Sequence, residues 1–374
     1  MADVAARTIP GQVTGLVVTR YGHGLPSKSA SGIECLEAAH PVPDVAAQQA
    51  ASRMLDLVRT AGEGDRIVFL LSGGASSLLP LPADGLTLDD KRRVTRALLD
   101  CGARIDEINC VRRHLSAIKG GRLARATAVP ILTLAISDVP GNDAIDIGSG
   151  PTVPDPTTLA DARSVVARYQ LDVTDAVRRA LLDPRNETPK PAAADATQLT
   201  TRIVATSHDA LSAATTAAIQ AGCEVVLLGE NLEGDAQHLG AAHAALARDY
   251  AKRPGRWLLL SGGETTVTVR ERNGRGGRNL EYLAGLAVGL DGHPGIHALA
   301  CDTDGIDGTE DNAGALLTPT TLEDAAAHGL DGRDCLARNR TYDLFAAAGT
   351  LLVTGPTRTN VNDFRAILIE GVAG

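Results

Sequence analysis

The stretch WLLLSGGETTVTVRERNGRGGRNLE, residues 257–281, determines how the second half of the chain is expected to fold. Residues 257–260 form an apolar run of strand length, and this run ends at Ser261-Gly262-Gly263. Residues 265–269 resume with β-branched side chains, which favour extended structure. The pattern predicts two strands that flank a glycine corner with exposed backbone N–H groups.

Four arginines follow this corner, at positions 270, 272, 275 and 278, with glycines between them. Asn279-Leu280-Glu281 then begins an apolar stretch that is long enough for a helix. Glycines that let a backbone approach closely, guanidinium groups and a helix N-terminus are together what phosphate oxygens require. The stretch therefore predicts an anion site, and a hairpin with a solvated basic turn is the alternative.

A second apolar run, residues 67–71, also leads into a Ser-Gly-Gly sequence, Ser72-Gly73-Gly74, which is followed by Ala75-Ser76. Fully apolar runs of this length are typical of buried parallel strands. Two such corners would suit two anionic groups, although glycine is also common in ordinary turns between a strand and a helix. The backbone amides of residues 72–76 and 261–263 are therefore candidate anion donors.

Lys119 and Asp138 are candidate site residues in the first half of the chain. Residues 105–125 have a helical apolar pattern with charges on the other face, and Gly120-Gly121 interrupts this pattern directly after Lys119. A purely structural helix would avoid this pair, because each glycine costs roughly 1 kcal/mol in a helix. Asp138 ends the predicted strand 129–137, and ligand-facing residues gather at the carboxyl ends of parallel strands.

Residues 302–311, DTDGIDGTED, follow another predicted strand and contain five carboxylates. Carboxylates that pack together repel one another unless a cation or arginines compensate them. A hard divalent ion such as Mg²⁺ is therefore expected here, and a solvated acidic turn is the alternative. An EF-hand calcium loop is disfavoured because Ile306 occupies the third ligand position.

Composition narrows the class of protein. A chain of 374 residues with 44% hydrophobic side chains can form two domains with substantial cores. The net charge of -9 argues against broad nucleic-acid binding. The six cysteines lack C-x-x-C spacing and indicate reduced thiols rather than disulfides or a zinc site. Because the chain shows neither a signal peptide nor an apolar run of membrane-spanning length, a soluble cytoplasmic protein without membrane contacts is expected.

The order of predicted elements indicates the α/β class. Strands and helices alternate from residue 202 to 252, which favours a parallel sheet covered by helices. Thr87 with Asp90 predicts a capping box, and Asp155 is expected to cap a helix that begins at Pro156. Residues 184–197 form the best linker candidate. We expect an N-terminal α/β domain over residues 1–190, a connecting β-α-β-α region over 191–253 and a C-terminal domain over 254–374.

Missing motifs weigh against several chemistries. The chain has no G-x-x-x-x-G-K-[ST] sequence, which excludes a P-loop as the phosphate cradle. It has no G-x-G-x-x-G after a strand, which disfavours a nicotinamide dehydrogenase, and no G-x-S-x-G, which disfavours an α/β-hydrolase. Glycine corners, arginines, a lysine and clustered aspartates fit phosphoryl transfer, where catalysis is largely positioning and charge stabilisation with Mg²⁺.

Six segments resemble the glycerate 2-kinases that have a MOFRL C-terminal domain, and they occur in the family's order. The resemblance implies ATP- and Mg²⁺-dependent phosphorylation of D-glycerate at its 2-hydroxyl, which gives 2-phosphoglycerate and ADP. It also implies a Rossmann-like parallel-sheet N-terminal domain and a mixed-sheet C-terminal domain, with the site in the cleft between them. The segments are LLSGGASSLLPLP (70–82), INCVRRHLSAIKGGRLA (108–124), ISDVPGNDAIDIGSGPTVPDPTT (136–158), SGGETTVTV with GRGGRNLE (261–281), CDTDGIDGTEDNAG (301–314) and LLVTGPTRTNVND (351–363).

The family pattern implies roles for individual residues. Arg278 would stabilise charge on the transferring phosphoryl group, Asp138 would orient or deprotonate the 2-hydroxyl, and Lys119 would neutralise a phosphate or the substrate carboxylate. Asp302 and Asp304 would hold Mg²⁺. Which corner binds ATP and which binds D-glycerate stays open, as does a homo-oligomer. The residues expected to form the cofactor-binding site are Ser72, Gly73, Gly74, Ser76, Ser261, Gly262, Gly263 and Glu264.

Two features depart from the family pattern. Family members carry an N-terminal helical region, a strand and a Gly-Lys-Ala segment whose lysine belongs to the active site, and this chain begins past that lysine. Low activity and reduced stability are therefore expected, and a non-catalytic sugar-acid or nucleotide binding protein is one alternative. A hydroxypyruvate reductase that uses NAD(P)H is another, because family members often carry that label. The second departure is Arg358, which stands where glycine is more usual.

Overall fold

Parallel strands form the sheets of the first half of the chain, and a mixed sheet forms the second half, so the predicted α/β class is confirmed. The computed structural model describes residues 1–24, 32–193 and 198–372. It separates into unit 1, Met1–Val204, and unit 2, Ala205–Gly374. The boundary between the two units falls inside the predicted connecting region 191–253. The division of the chain into three parts stays a prediction.

The described residues of unit 1 form two sheets. Its strands are β1 (Gly15–Arg20), β2 (Ile33–Ala38), β3 (Ile67–Leu71), β4 (Ile131–Ile136) and β5 (Leu199–Ala205), the last of which reaches the unit boundary. β1 pairs with β2 in parallel, and β3 pairs with β4 in parallel, with β5 next to β4. The helices are α1 (Ala2–Thr8), α2 (Val45–Thr60), α3 (Ala75–Leu78), α4 (Leu88–Asp100), α5 (Ile105–His114), α6 (Arg122–Arg125), α7 (Leu159–Arg168) and α8 (Asp175–Leu182).

Capping side chains fix where two helices of unit 1 begin. The predicted capping box of α4 is confirmed, because the backbone N–H of Asp90 donates to Thr87 Oγ1 and the Asp90 carboxylate accepts from the Thr87 N–H. The prediction that Asp155 caps the next helix is wrong. Thr158 caps α7 instead, in a capping box with Asp161. Asp155 is fully buried and pairs with Arg113.

The helix predicted over residues 105–125 is also wrong in its length, because α5 ends at His114. The Ser116 hydroxyl accepts the backbone N–H groups of Ile118 and Lys119, both at 3.3 Å, and so holds a turn rather than a helix. Gly120 and Gly121 follow with φ of 60° and 82°, in the left-handed region that glycine favours. The glycine pair therefore marks a reversal of the chain, which the pattern of apolar residues did not reveal.

Unit 2 is built on one six-stranded sheet. Its strands are β6 (Glu224–Leu232), β7 (Arg256–Gly263), β8 (Ile296–Asp302), β9 (Gly314–Leu317), β10 (Leu351–Leu352) and β11 (Asp363–Glu370), in the order β10-β9-β8-β11-β7-β6. β6 runs parallel to β7, and β11 runs antiparallel to both β7 and β8. The helices are α9 (Ser207–Gln220), α10 (Ala236–Ala251), α11 (Arg278–Leu290), α12 (Thr321–Ala327), α13 (Gly332–Ala337) and α14 (Thr341–Ala347).

The strand that begins at residue 256 does not stop at the predicted glycine corner. β7 continues through Gly263, between β11 on one side and β6 on the other, and residues 265–269 form no strand. A Cβ on Gly262 would lie 2.4 Å from Ser207 Oγ, and one on Gly263 would lie 2.2 Å from the Leu232 nitrogen. These glycines therefore allow the close approach of β6 and α9, and the predicted exposed corner is wrong.

The polypeptide turns in the left-handed region at Arg358, with φ of 63°. Residues other than glycine are strained in this conformation. This strain accounts for the glycine that is more usual at this position in the family that the chain resembles.

Helices α10 and α11 cross at very short range over the sheet. A Cβ on Gly240 would lie 2.1 Å from the Tyr282 carbonyl oxygen, and one on Gly285 would lie 2.6 Å from the Gln237 carbonyl oxygen. Glycine lowers helix propensity, so its presence in both helices is explained by backbone contact rather than by local preference. The core of unit 2 depends on this contact.

We predict that Gly240→Ala destabilises the protein by about 1–3 kcal/mol, although alanine has the higher helix propensity, because the new methyl group forces the two helices apart. Urea unfolding measures the change. Gly62→Ala is the matched control, because nothing lies within 4 Å of a Cβ there. Equal stability of the two variants would contradict the close crossing of α10 and α11.

Candidate functional site

The carboxyl ends of β3 and β4 bring the predicted residues of unit 1 to one edge of a sheet. Leu71 pairs with Ala135 in these parallel strands, so Ser72 and Asp138 both follow the same end. Gly74 has φ of 79° and is the N-cap of α3, which confirms a glycine turn between a strand and a helix. Asp138 is half-buried in the loop that follows β4. This edge is where ligands bind in open α/β sheets.

Lys119 lies beneath this edge with only 1% of its surface exposed. Its Nζ donates to the Gly148 carbonyl at 3.0 Å and to Ser76 Oγ at 3.4 Å. Burial, reinforced by the nearby cations Lys91 and Arg112, places the pKa of Lys119 well below its ordinary value. Lys119 therefore contacts this part of the site only indirectly, through its hydrogen bonds to Ser76 and Gly148.

A chain of hydrogen bonds extends from Ser76 into the interior. Its hydroxyl lies 2.7 Å from Ser149 Oγ, and Ser149 in turn donates to Asn109 Oδ1 at 3.1 Å. Ser149 is fully buried and adopts φ of 61°, a conformation that few residues other than glycine adopt. The network fixes the loop 139–155 against α3 and α5, so the turn that contains Ser76 has a rigid support.

Arg113 anchors the same loop at two points. It is 3% exposed, and its guanidinium pairs with Asp146 at 3.2 Å and with Asp155 at 3.1 Å. Arg112 and Arg113 are among the charges on the polar face of the helix predicted over residues 105–125, and that pattern did not reveal that the two neighbours differ. Two carboxylates compensate Arg113, whereas Arg112 has no hydrogen bond or ion pair within residues 1–24, 32–193 and 198–372.

Arg278 is the centre of the candidate site in unit 2, at the first residue of α11. Its Nε lies 2.8 Å from Asp363 Oδ1, its Nη2 lies 2.6 Å from Asp302 Oδ2, and its Nη1 lies 2.6 Å from Glu264 Oε1. Burial lowers the pKa of Arg278, but the three carboxylates outweigh it and raise the pKa above its ordinary value. Three predicted residues, Arg278, Asp302 and Glu264, are thus in direct contact.

Asp302 and Asp307 are buried carboxylates with raised pKa values. Burial raises the pKa of Asp302 to about 7, with Arg278 opposing the shift and Asp304 adding to it. Burial likewise raises the pKa of Asp307 to about 6. Burial thus disfavours the charged form of both carboxylates, and a cation beside them would favour it.

The N-terminus of α11 is capped by the protein itself. The Asp307 carboxylate accepts the backbone N–H groups of Asn279 and Leu280, both at 3.0 Å. A Cβ on Gly277 would lie 2.3 Å from Asp307 Cγ, so glycine is required for this contact. The expectation that this helix end binds phosphate is therefore wrong, because a carboxylate already occupies the donors.

Two of the four arginines contact the acidic run 302–311 at different positions, Arg278 at Asp302 and Arg275 at Glu310. Arg275 pairs with Glu310 at 2.7 Å and stacks on the ring of Tyr342, whose hydroxyl donates to Asp311. Within the described ranges, no group of three or more His, Cys, Asp or Glu side chains is arranged to hold a metal ion. The assignment of Mg²⁺ to Asp302 and Asp304 (whose backbone N–H donates to Asp302 Oδ1) stays a prediction.

Asp363 is a site residue that the sequence pattern did not identify. Its side chain is fully buried and contacts Arg278, Asn279 Nδ2 at 2.8 Å and Arg365. The signal in the sequence was its place at the end of LLVTGPTRTNVND (351–363), one of the segments that resemble the family. The predicted contact of the backbone amides of Ser261, Gly262 and Gly263 with a nucleotide also stays a prediction, although these residues are buried within β7.

Two family models match the chain. One, described as a domain of unknown function (DUF4147), covers residues 1–182, and the other, described as the MOFRL family, covers residues 257–363. A D-glycerate 2-kinase from Thermotoga maritima is 37% identical over 93% of this chain and 82% of its own length. The chain belongs to the MOFRL family.

A solved structure of a related protein is also similar to this chain. The MOFRL protein superposes on the crystal structure of a glycerate kinase from Thermotoga maritima with a TM-score of 0.88 and 37% identity, over 99% of this chain and 88% of the other. An Agrobacterium vitis relative, 51% identical over 96% of this chain and 81% of its own length, carries the name hydroxypyruvate reductase. In the described part of the MOFRL protein, no helix combines the length and apolar character needed to cross a bilayer.

Adjacent arginines on α5 provide a matched pair of variants. We predict that Arg113→Gln destabilises the protein by about 3–5 kcal/mol, because it leaves the buried Asp155 carboxylate unpaired. Arg112→Gln should leave stability unchanged or raise it, since this half-buried cation has no partner to lose. Urea unfolding at neutral pH measures both, and a similar loss in the two variants would refute the assigned contacts.

Proposed function

We propose that this MOFRL protein is a glycerate 2-kinase, which transfers the terminal phosphoryl group of ATP to the 2-hydroxyl of D-glycerate and gives 2-phosphoglycerate and ADP. The observation that carries the proposal is the 37% identity to a D-glycerate 2-kinase over 93% of the chain, which includes both units. The relatives support glycerate kinase activity in general, and ATP, Mg²⁺ and the position of phosphorylation are the finer parts of the proposal.

Arg278 is proposed to stabilise the transferring phosphoryl group. Two of its three partners, Asp302 and Asp363, are 7% and 0% exposed and hold the guanidinium in place, whereas the Glu264 side chain is 53% exposed. Pairs that involve an exposed partner are weak, so a phosphoryl oxygen can replace Glu264 at Nη1 at little cost. The remaining two contacts keep the planar guanidinium oriented for charge that develops in the transition state.

Oxygen donors at the end of β8 suit Mg²⁺. Asp302 and Asp304 would hold the ion, which is usually bound by one or two carboxylates together with substrate phosphates and water. Burial and the neighbouring Asp304 raise the pKa of Asp302 to about 7, and a bound cation would favour its charged form. When bound, Mg²⁺ neutralises charge on the phosphates during transfer.

The sheet edge of unit 1 is proposed to bind the acceptor. Asp138, at the end of β4, would orient or deprotonate the 2-hydroxyl of D-glycerate. The turn of residues 72–76, which includes Ser72, Gly73, Gly74 and Ser76, would donate hydrogen bonds to substrate or nucleotide anions. Lys119 is buried, so we assign it a role through its contacts with Ser76 and Gly148, as a residue that positions this turn.

A reductase is the second candidate, because two Agrobacterium vitis relatives carry the name hydroxypyruvate reductase. Such an enzyme needs a site for a nicotinamide dinucleotide. The sequence lacks the glycine fingerprint of the common dinucleotide fold, which favours the kinase.

We predict that Arg278→Lys lowers the turnover number about 100- to 1,000-fold, because lysine keeps the charge but loses the planar, multidentate contact with a developing oxyanion. Glycerate-dependent ADP release and ³¹P detection of 2-phosphoglycerate measure the effect, with circular dichroism to verify the fold. Arg275→Lys is the control, since Arg275 pairs with Glu310 rather than with the site carboxylates.

The proposal fails if Arg278→Lys and Arg275→Lys have equal activity. It also fails if the wild-type protein oxidises NAD(P)H with hydroxypyruvate and releases no ADP with D-glycerate and ATP. Loss of NAD(P)H absorbance and release of ADP are separate signals, so one protein sample distinguishes the kinase from the reductase.

A further inference from the structure

His40 lies just beyond the end of β2, in the small sheet of unit 1. β1 and β2 are parallel, so the residues that follow both strands lie at one end of this sheet. The carboxyl ends of parallel strands are where open α/β sheets bind their ligands. His40 is exposed at this end, and the proposed phosphoryl transfer leaves it without a role.

Apolar packing brings this end of β2 to the turn of residues 72–76. Ala38, the last residue of β2, is buried in one small cluster with Ala47 of α2 and Leu78 of α3. Helix α3 follows the turn directly, since Gly74 is its N-cap. The loop after β2 and the turn after β3 are therefore neighbours, although the two strands belong to different sheets.

The imidazole of His40 packs on the backbone of this turn. A Cβ on Gly74 would lie 3.0 Å from His40 Cδ2 and 3.1 Å from His40 Nε2, but 3.8 Å from His40 Cγ. The ring therefore faces the turn with the edge that carries Nε2. Gly74 has φ of 79°, so glycine at this position provides both the left-handed backbone and the space for the imidazole.

The loop that carries His40 is held at its other end. The Asp44 carboxylate caps α2 and accepts the hydroxyl group of Tyr21 at 2.8 Å. Arg92 Nε, from α4, donates to the Pro43 carbonyl oxygen at 2.7 Å. These contacts fix the loop to three other elements, which is the kind of support that a preorganised binding residue requires.

His40 differs from the other polar neighbours of the turn in its access to water. The Ser76 hydroxyl lies 2.7 Å from Ser149 Oγ and 3.4 Å from Lys119 Nζ, and both of these partners are buried. The imidazole is exposed instead. A ligand at the turn can therefore reach His40 directly, whereas Lys119 acts on it only through Ser76.

We propose that His40 is a ligand-binding residue of this site, and that its imidazole donates a hydrogen bond to an oxyanion at the turn 72–76. The oxyanion is the carboxylate of the acceptor or a phosphate group of the nucleotide. Neutral imidazole has one N–H donor and the protonated ring has two, so both forms can make this contact. The inference rests on the proposed function, because it names a side chain that recognises a substrate of the kinase.

Two substitutions of His40 separate hydrogen bonding from packing. His40→Phe keeps a planar ring against Gly74 but removes both nitrogens, and His40→Gln keeps an N–H donor at the end of the side chain. Isothermal titration calorimetry of the whole chain measures binding of D-glycerate and, separately, of ATP with Mg²⁺. We expect His40→Phe to weaken binding of at least one ligand about tenfold or more, and His40→Gln to retain most of the affinity.

His328→Phe is the matched control. His328 is an exposed histidine directly after α12 in unit 2, and its Nδ1 lies 2.9 Å from the Asp324 carbonyl oxygen. The substitution removes an imidazole outside the candidate site and should leave binding of both ligands unchanged. Circular dichroism and urea unfolding verify that all three variants fold.

The ligand that is affected identifies the oxyanion. Weaker binding of D-glycerate alone assigns His40 to the carboxylate, weaker binding of ATP alone assigns it to a phosphate group, and weaker binding of both shows contact with both. The proposal is overturned if the wild type binds neither ligand, or if His40→Phe binds both as tightly as the wild type. It is equally overturned if His40→Phe and His40→Gln lose the same affinity, because the loss then does not follow the donor.

Chemical modification provides a second test, which needs no substitution. Diethyl pyrocarbonate acylates exposed imidazoles, and peptide mass spectrometry follows His40 and His328 in the same sample. A saturating ligand should slow the modification of His40 about tenfold or more and leave that of His328 unchanged. A rate for His40 that neither D-glycerate nor ATP alters would contradict the proposed contact.

These measurements distinguish the inference from the proposed kinase. Binding and protection are measured without turnover, so His40 can be shown to contact an oxyanion even in a protein that releases no ADP. Conversely, ADP release by His40→Phe with the KM values and turnover number of the wild type would remove His40 from the site and leave the kinase proposal intact.

Discussion

The buried carboxylate of Asp363 connects the elements that form the candidate site of unit 2. It belongs to the first residue of β11, and it contacts Arg278 at the start of α11 and Arg365 two residues along its own strand. Asp363 also lies opposite Gly263 of β7 and Asp302 of β8 in the sheet. Asp363 thus connects β7, β8 and β11 with helix α11. Because its partners are charged, removal of any one of them leaves a charge without compensation inside the protein.

The glycines of this region serve the same arrangement. Gly262 and Gly263 let β7 lie against β6 and α9, and Gly277 lets Asp307 approach the end of α11. Sequences of this kind, with glycines next to arginines, are also typical of loops that bind phosphate. Here the close backbone contacts are made with the protein's own atoms, and what remains available to a ligand is the guanidinium of Arg278 with its exposed partner Glu264.

Local sequence was sufficient to predict elements whose determinants lie within a few residues. The capping box of Thr87, the strand β3 and the turn at Gly74 all follow from short patterns, and the structure confirms them, although only Phe69 and Leu71 of β3 are buried. The α/β class follows from the alternation of such elements. The continuous helix over residues 105–125 failed because the Ser116 hydroxyl accepts two backbone N–H groups, an interaction that a pattern of apolar residues does not reveal.

Long-range contacts were predicted only in part. The pattern selected Arg278 and Asp302, which are in contact, but it missed Asp363, which is 85 residues from Arg278 along the chain. It also treated Arg112 and Arg113 alike, because the carboxylates that distinguish them come from a distant loop. Asp155 failed as a helix cap for the same reason, since its partner Arg113 belongs to another element. Residue type indicates which groups can pair, and the fold decides which pairs form.

Helix α11 carries Arg278 on its first turn and is buried on nearly every side, with Asn279 through Ala287 all shielded from water. Backbone amides in such a helix exchange their hydrogens only when much of the surrounding structure opens. The guanidinium at its start is therefore attached to a helix whose amides we expect to exchange slowly. Ligands that reach Arg278 meet a group whose position does not depend on loop motion, so recognition there requires little ordering of the protein.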